Sequence, residues 1–155
     1  MRNKMKKSKI FVLAMISVIA AACQPPEQGS DIEFLHMPGN EGSGAPFSSA
    51  VRVDNILYLA GVIGVVPGTL QVPESGIEEE ARLAMEEIKA TLEAFGSSMD
   101  RVVKCTVFLA DESDRGAFNA IYMSYFDNLP ARSGVTVKGL ALGARAEVEC
   151  IAVVN

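Results

Sequence analysis

The chain of 155 residues carries 14 basic and 19 acidic side chains, a net charge of −5, and is 49% apolar. Arg2, Lys4, Lys6, Lys7 and Lys9 supply five of the basic groups and no acid precedes residue 23, so the remainder holds nine against nineteen, a net of about −10. So acidic a body lacks the basic footprint that a nucleic-acid partner requires, and its length suits one domain with a real core.

Met1 to Ala22 reads as an export signal. A basic head is followed by an uncharged apolar stretch, Ile10 to Ala22, too short to span a bilayer. It ends Ala20-Ala21-Ala22-Cys23, like a bacterial lipobox whose cysteine becomes the lipid-bearing first residue of the mature chain. Plain cleavage after small residues at the same bond is the alternative. The expected address is the cell envelope or periplasm, with the chain held to a membrane through Cys23. Residues 23–43 read mainly as a flexible tether, because Gln24 to Ala45 is rich in Pro, Gly, Ser, Gln and Glu. Phe34, Leu35 and Met37 interrupt it as a candidate first strand or staple. The folded domain is expected over residues 44–155.

Within that domain, Phe47 to Val53 and Ile56 to Gly61 are β-runs joined by a tight turn at Asp54-Asn55. A helix follows from Ser75 or Gly76, with an acidic first turn at Glu78-Glu79-Glu80 and Gly96 as its terminator. Ile77, Ala81, Ala84, Ile88, Leu92 and Phe95 make its apolar face. Val102 to Leu109 is a β-branched strand. Asp111 to Asp114 offer caps for a second helix, which presents Phe118, Ile121, Tyr122, Tyr125 and Phe126. Pro130 ends that pattern, and Arg132 opens another strand. A closing strand runs from Arg145 to Val154. The order ββαβαββ predicts an α+β domain, two helices packed on one face of a mixed sheet.

The closing strand alternates. Ala146, Val148, Cys150, Ala152 and Val154 form a small apolar face for the helices, and Glu147, Glu149, Ile151 and Val153 point the other way. The half-apolar outer face predicts burial against further copies of the chain. If the strand of Arg132 and the closing strand form a hairpin about the Ala141–Leu142 midpoint, Arg132 faces Ile151 and Gly134 faces Glu149, making Glu149 a diagonal neighbour of Arg132. The fork of Arg132 and the bare backbone at Gly134 could then hold a small carboxylate beside Glu149. Equally, Arg132 could be a surface salt-bridge residue, and the two could form a simple cross-strand ion pair. Cys105 and Cys150, each in a predicted strand, could bridge; the expectation here is two buried reduced thiols. No cluster has metal-ligand spacing, and His36 stands alone in a loop.

Pro130-Ala131-Arg132-Ser133 together with Glu147-Val148-Glu149-Cys150-Ile151-Ala152-Val153 resembles the C-terminal signature of the RidA (YjgF) family of reactive-intermediate deaminases. Gly44-Ala45-Pro46-Phe47, Leu59-Ala60-Gly61, Val103 to Phe108 and Phe118 to Tyr122 agree in the same order. The resemblance implies a chorismate-mutase-like fold, a homotrimer with ligand clefts between subunits, and a hydrolase of the 2-iminobutanoate/2-iminopropanoate deaminase kind. Such a protein takes carboxylate-bearing enamines or imines such as 2-aminoacrylate to a 2-keto acid and ammonia without a cofactor. Carried over by motif, Arg132 binds the substrate carboxylate, backbone at Gly134 and Gly61 assists, Phe47 lines the cleft, and Glu149 positions or activates water. This sequence departs from the family's pattern at Phe47, where a tyrosine is usual, at Ala60 for serine, at Val62 for glutamine and at Gly134 for a frequent cysteine. A more apolar pocket follows. The competing readings are an envelope lipoprotein that binds small carboxylates without turnover, and a ribonuclease activity, against which charge and export both count.

Overall fold

The computed structural model describes residues 29–39 and 44–154; the export signal expected over residues 1–22 and the cysteine expected to carry a lipid, Cys23, lie outside them. In chain order the elements are β1 (Ile32–Leu35), β2 (Ala50–Val53), β3 (Ile56–Leu59), β4 (Val62–Ile63), α1 (Ile77–Ala94), β5 (Val102–Leu109), α2 (Arg115–Met123), β6 (Ala131–Thr136) and β7 (Ala146–Val153). The strands form one sheet in the order β1-β2-β3-β7-β5-β6, with β4 also paired to β7. Every pairing is antiparallel except β5 with β6. The sheet thus begins inside the segment read mainly as tether, where Phe34 and Leu35 pair with Val51 and Ala50.

The β2–β3 turn is as tight as its sequence suggests. Val53 pairs with Ile56, and Asp54 takes the positive φ of 52° that a two-residue hairpin loop demands. Helix α1 buries Ile77, Ala81, Ala84, Met85, Ile88 and Leu92 against the sheet. It ends in a Schellman motif at Gly96 (φ 80°), where Ser97 N–H donates to the Leu92 carbonyl at 2.8 Å. Phe118 and Tyr122 of α2 complete the core, and Ala146, Val148, Cys150 and Ala152 lie beneath the helices at 1% exposure or less.

A buried polar joint locks α1, α2 and β7 together. Glu80 is 1% exposed, and its Oε1 accepts the backbone N–H groups of Arg145 and Ala146 at 2.7 and 2.9 Å. Burial raises its carboxyl above the usual glutamate range, against the pull of those two donors. The side chain of Arg145 meets Asp114 through two bonds, at 2.9 and 2.5 Å. Gly64 lets the β4 segment approach α1, since a Cβ there would stand 1.9 Å from the Glu80 carbonyl oxygen.

Two expectations are overturned. The first is the hairpin between the strands of Arg132 and Glu149. Helix α2 carries the chain over from β5, so β6 lies parallel to β5 at the sheet edge, as a β-α-β unit requires. The other side of β5 is taken by β7, and the strands that were to pair never touch. The segment between them crosses the end of β5: Val137 N–H donates to the Leu109 carbonyl at one side, and Ala110 N–H to the Arg145 carbonyl at the other. The second concerns the cysteines. Cys105 and Cys150 stand directly opposite on β5 and β7 with Cα atoms 4.1 Å apart, and they form a disulfide. Strand composition favours packed thiols, but the register, which composition does not reveal, sets the two sulfurs face to face.

Candidate functional site

Register decides which faces the candidate residues occupy. Arg132, Cys105 and Cys150 share one rung across β6, β5 and β7, and the next rung is Ser133, Thr106 and Glu149. Cys105 and Cys150 are buried under the helices, so Arg132 is on the helix face and Glu149 on the open face. Within one copy the two are separated by a strand and by the thickness of the sheet, not diagonal neighbours.

Two half-sites result. One is on the helix face of β6. The Arg132 guanidinium lies over the ring of Tyr122, 4.8 Å from its centroid, and makes no ion pair among the described residues. The Tyr122 hydroxyl is buried without a hydrogen-bond partner there; burial raises its pKa, and the positive charge of Arg132 opposes the shift. Gly134 follows on the same face, and a Cβ on it would meet Arg115 Nη1 at 3.1 Å. Every residue of β6 is exposed, as suits an edge strand whose outer backbone groups are unclaimed within the sheet.

The other half-site is where β3 passes into β4. Val62 pairs with Val148 and Ile63 with Glu147, so one step back along the ladder sets Gly61 opposite Glu149. A Cβ at Gly61 would fall 2.0 Å from Glu147 Oε1, so a side chain there would have to push that glutamate aside. Glu147 is the site residue that motif matching passed over, although the period-two alternation of β7 already put it on one face with Glu149. Phe47 is 61% exposed, and with Gly61 it lines an open groove of about 800 Å³ that continues along Val62, Val65 and Leu83. Phe47 and Ala60 also line a neighbouring groove of about 450 Å³ with Phe34 and Tyr58.

Chemically, one half offers a guanidinium and a bare strand edge, suited to an acid; the other offers two carboxylates beside a glycine, suited to holding water or taking a proton. The structure brings Gly61 to Glu149, and Arg132 to Gly134. It does not bring the pairs together within one copy.

Comparison with known proteins adds the following. Residues 40–154 match the family described as Endoribonuclease L-PSP. The 2-iminobutanoate/2-iminopropanoate deaminase of Mus musculus is 43% identical over 109 residues, covering 70% of this chain and 81% of that protein. The protein of the same name from Homo sapiens is 41% identical over 113 residues, covering 72% and 82%. Among solved structures, a protein of the Rid family from Yersinia pestis has a TM-score of 0.74 at 33% identity, covering 80% of this chain and 100% of that one. E. coli TdcF, solved with bound serine, has a TM-score of 0.68 at 33% identity, covering 72% and 90%.

Proposed function

Because this chain belongs to the RidA (YjgF) family, whose model matches residues 40–154, we propose that it hydrolyses small carboxylate-bearing imines to 2-keto acids and ammonia. The observation that carries the reading is the agreement between 41–44% identity to proteins named as 2-iminobutanoate/2-iminopropanoate deaminases and the chemistry of the two half-sites. The reacting centre is assembled between copies. One copy's β6 edge, with Arg132 and the Gly134 backbone, meets the Gly61–Glu149 corner of the next. The open face supports such an assembly, since it exposes Tyr58, Ile56 and Val135 beside the half-buried Ile151 and Val153. A homotrimer is the arrangement that family membership suggests. Light scattering on a protein beginning near Asp31 should then give three times the chain mass, and a stable monomer would dissolve the shared centre.

In the proposed step Arg132 holds the substrate carboxylate and the Gly61–Glu149 corner of the next copy receives the imine. Water adds to the imine carbon while its proton passes to the Glu149 carboxylate. Glu149 returns that proton to nitrogen to give the carbinolamine and then carries the hydroxyl proton to the same nitrogen, so that the C–N bond breaks and ammonia leaves as the carbonyl forms. An imine is already electrophilic, so orientation and one proton relay supply the help required. Phe47, Ala60 and Val62 make the wall beside Gly61 apolar.

The export signal and Cys23 anchor belong to the same proposal and place the activity on the cell envelope. A core disulfide fits it, because disulfides persist in oxidising compartments. The direct test is a coupled assay of the purified domain with imines generated in situ. Arg132→Ala should weaken both 2-keto-acid binding and turnover about ten- to a hundredfold, the worth of a positioned charge-assisted pair. Arg132→Lys should restore little, since an ammonium cannot reproduce the fork. Full activity in Arg132→Ala would remove the acid anchor from the mechanism.

A further inference from the structure

Gly134 has an unexpected neighbour. Arg115, the first residue of α2, directs Nη1 to 3.1 Å from the point where a Cβ at 134 would stand. Its other donors are committed: Nε and Nη2 each donate to the Glu112 carboxylate at 2.6 Å. Glu112 also accepts the Thr136 hydroxyl at 2.6 Å, and the two partners hold its pKa down to about 2. The guanidinium is therefore pinned by an ion pair that stays charged, with Nη1 taking no hydrogen bond among the described residues and facing the bare strand. A Cβ at 134 would press on this group and shift it by a few tenths of an ångström.

Arg132 and Gly134 are two residues apart on the same face of β6, roughly 6.6 Å along the strand. That face consequently carries a guanidinium at each end of a short stretch, one over Tyr122 and the other at Gly134. We propose that Arg115 is a specificity-determining residue that binds a second acidic group, so that the preferred substrates are imines of dicarboxylic amino acids. The carboxyl carbons of a five-carbon diacid are about 5 Å apart. With a hydrogen bond of about 2.9 Å at each end, such a molecule is longer than the roughly 6.6 Å between the two strand positions, so an acid held at Arg132 leaves the second acid free to turn toward the Gly134 end. A monocarboxylic imine leaves Nη1 of Arg115 unused. The apolar wall near Gly61 then contacts the carbon chain between the acids.

The proposal rests on the deaminase reading for its substrate, so its test includes a measurement without turnover. Binding of 2-oxoglutarate and of 2-oxobutanoate is measured by calorimetry, and hydrolysis of the corresponding imines is followed in parallel. The unaltered protein should favour the diacid. Arg115→Gln should reduce the diacid-to-monoacid ratio about tenfold, in KM rather than kcat. Gly134→Ala should move the ratio the same way, because its methyl group displaces Nη1, the end of a flexible side chain, without disturbing backbone. A melting curve for each variant identifies simple loss of fold. Equal affinity for both keto acids in the unaltered protein, or a ratio unchanged in both variants, overturns the proposal. If the ratio behaves as expected and neither imine is hydrolysed, the second acid site stands and the deaminase reading falls.

Discussion

Glu149→Gln is expected to lower imine hydrolysis about a hundredfold or more while leaving 2-keto-acid affinity within a few-fold of the original. The substitution keeps the shape of the side chain and its place on the open face, where Glu149 is paired with Thr106 across β5 and β7. It removes the ability to take a proton from attacking water, a contribution of about 10²- to 10⁴-fold for a positioned general base. Affinity for the acid product depends on Arg132, which is on the other face of the sheet within its own copy, so the two measurements should separate. Glu147 provides the control. It lies on the same face and against Gly61, and Glu147→Gln tests whether the second carboxylate of that corner shares the proton transfer. If Glu149→Gln alters neither rate nor binding, Glu149 is a surface residue and the proposed mechanism fails at its central step.

Replacing Cys105 and Cys150 by alanine should cost about 4 kcal/mol of stability on the chain-entropy account, given a sequence separation of 45 between the linked positions. Both side chains are at most 1% exposed, so the lost sulfurs also leave unfilled volume in the hydrophobic core, which adds to the cost. The opposing consideration is native geometry, since disulfides frequently deliver less than loop entropy predicts. Chemical denaturation of the double variant against the oxidised parent measures the difference. Mass spectrometry of the unfolded parent, alkylated with and without reductant, checks the bond itself: two alkylated thiols without reductant would contradict it.

The helices and the two faces of the closing strand were legible in the sequence because each is fixed by local pattern. The α1 stripe, Gly96 as terminator and the inward row of Ala146, Val148, Cys150 and Ala152 all follow from periodicity and capping. Strand adjacency was not legible. A hairpin between β6 and β7 satisfies the same alternation as the observed order, and only the handed crossover through α2 selects the latter. That one choice controls where Arg132 and Glu149 point, and it also sets Cys105 against Cys150. Motif resemblance supplied Arg132, Gly134, Gly61 and Glu149 as candidates without their geometry. Arg115 could not be found that way, because its approach to Gly134 depends on how α2 lies over β6. Glu80 was missed in the α1 interior for a different reason: its carboxylate is buried there because backbone N–H groups of Arg145 and Ala146, far along the chain, donate to it.

The segment that crosses the end of β5 is between the two linked cysteines, and residues Lys138, Gly139 and Ala141–Gly143 along it are exposed. A peptide bond cut there would divide the polypeptide without dividing the molecule. The C-terminal piece would remain as the middle strand of the sheet, clasped by β3, β4 and β5 and tied by sulfur to the piece it was cut from. For this domain, continuity of the chain and continuity of the body are separate properties, and the second outlasts the first.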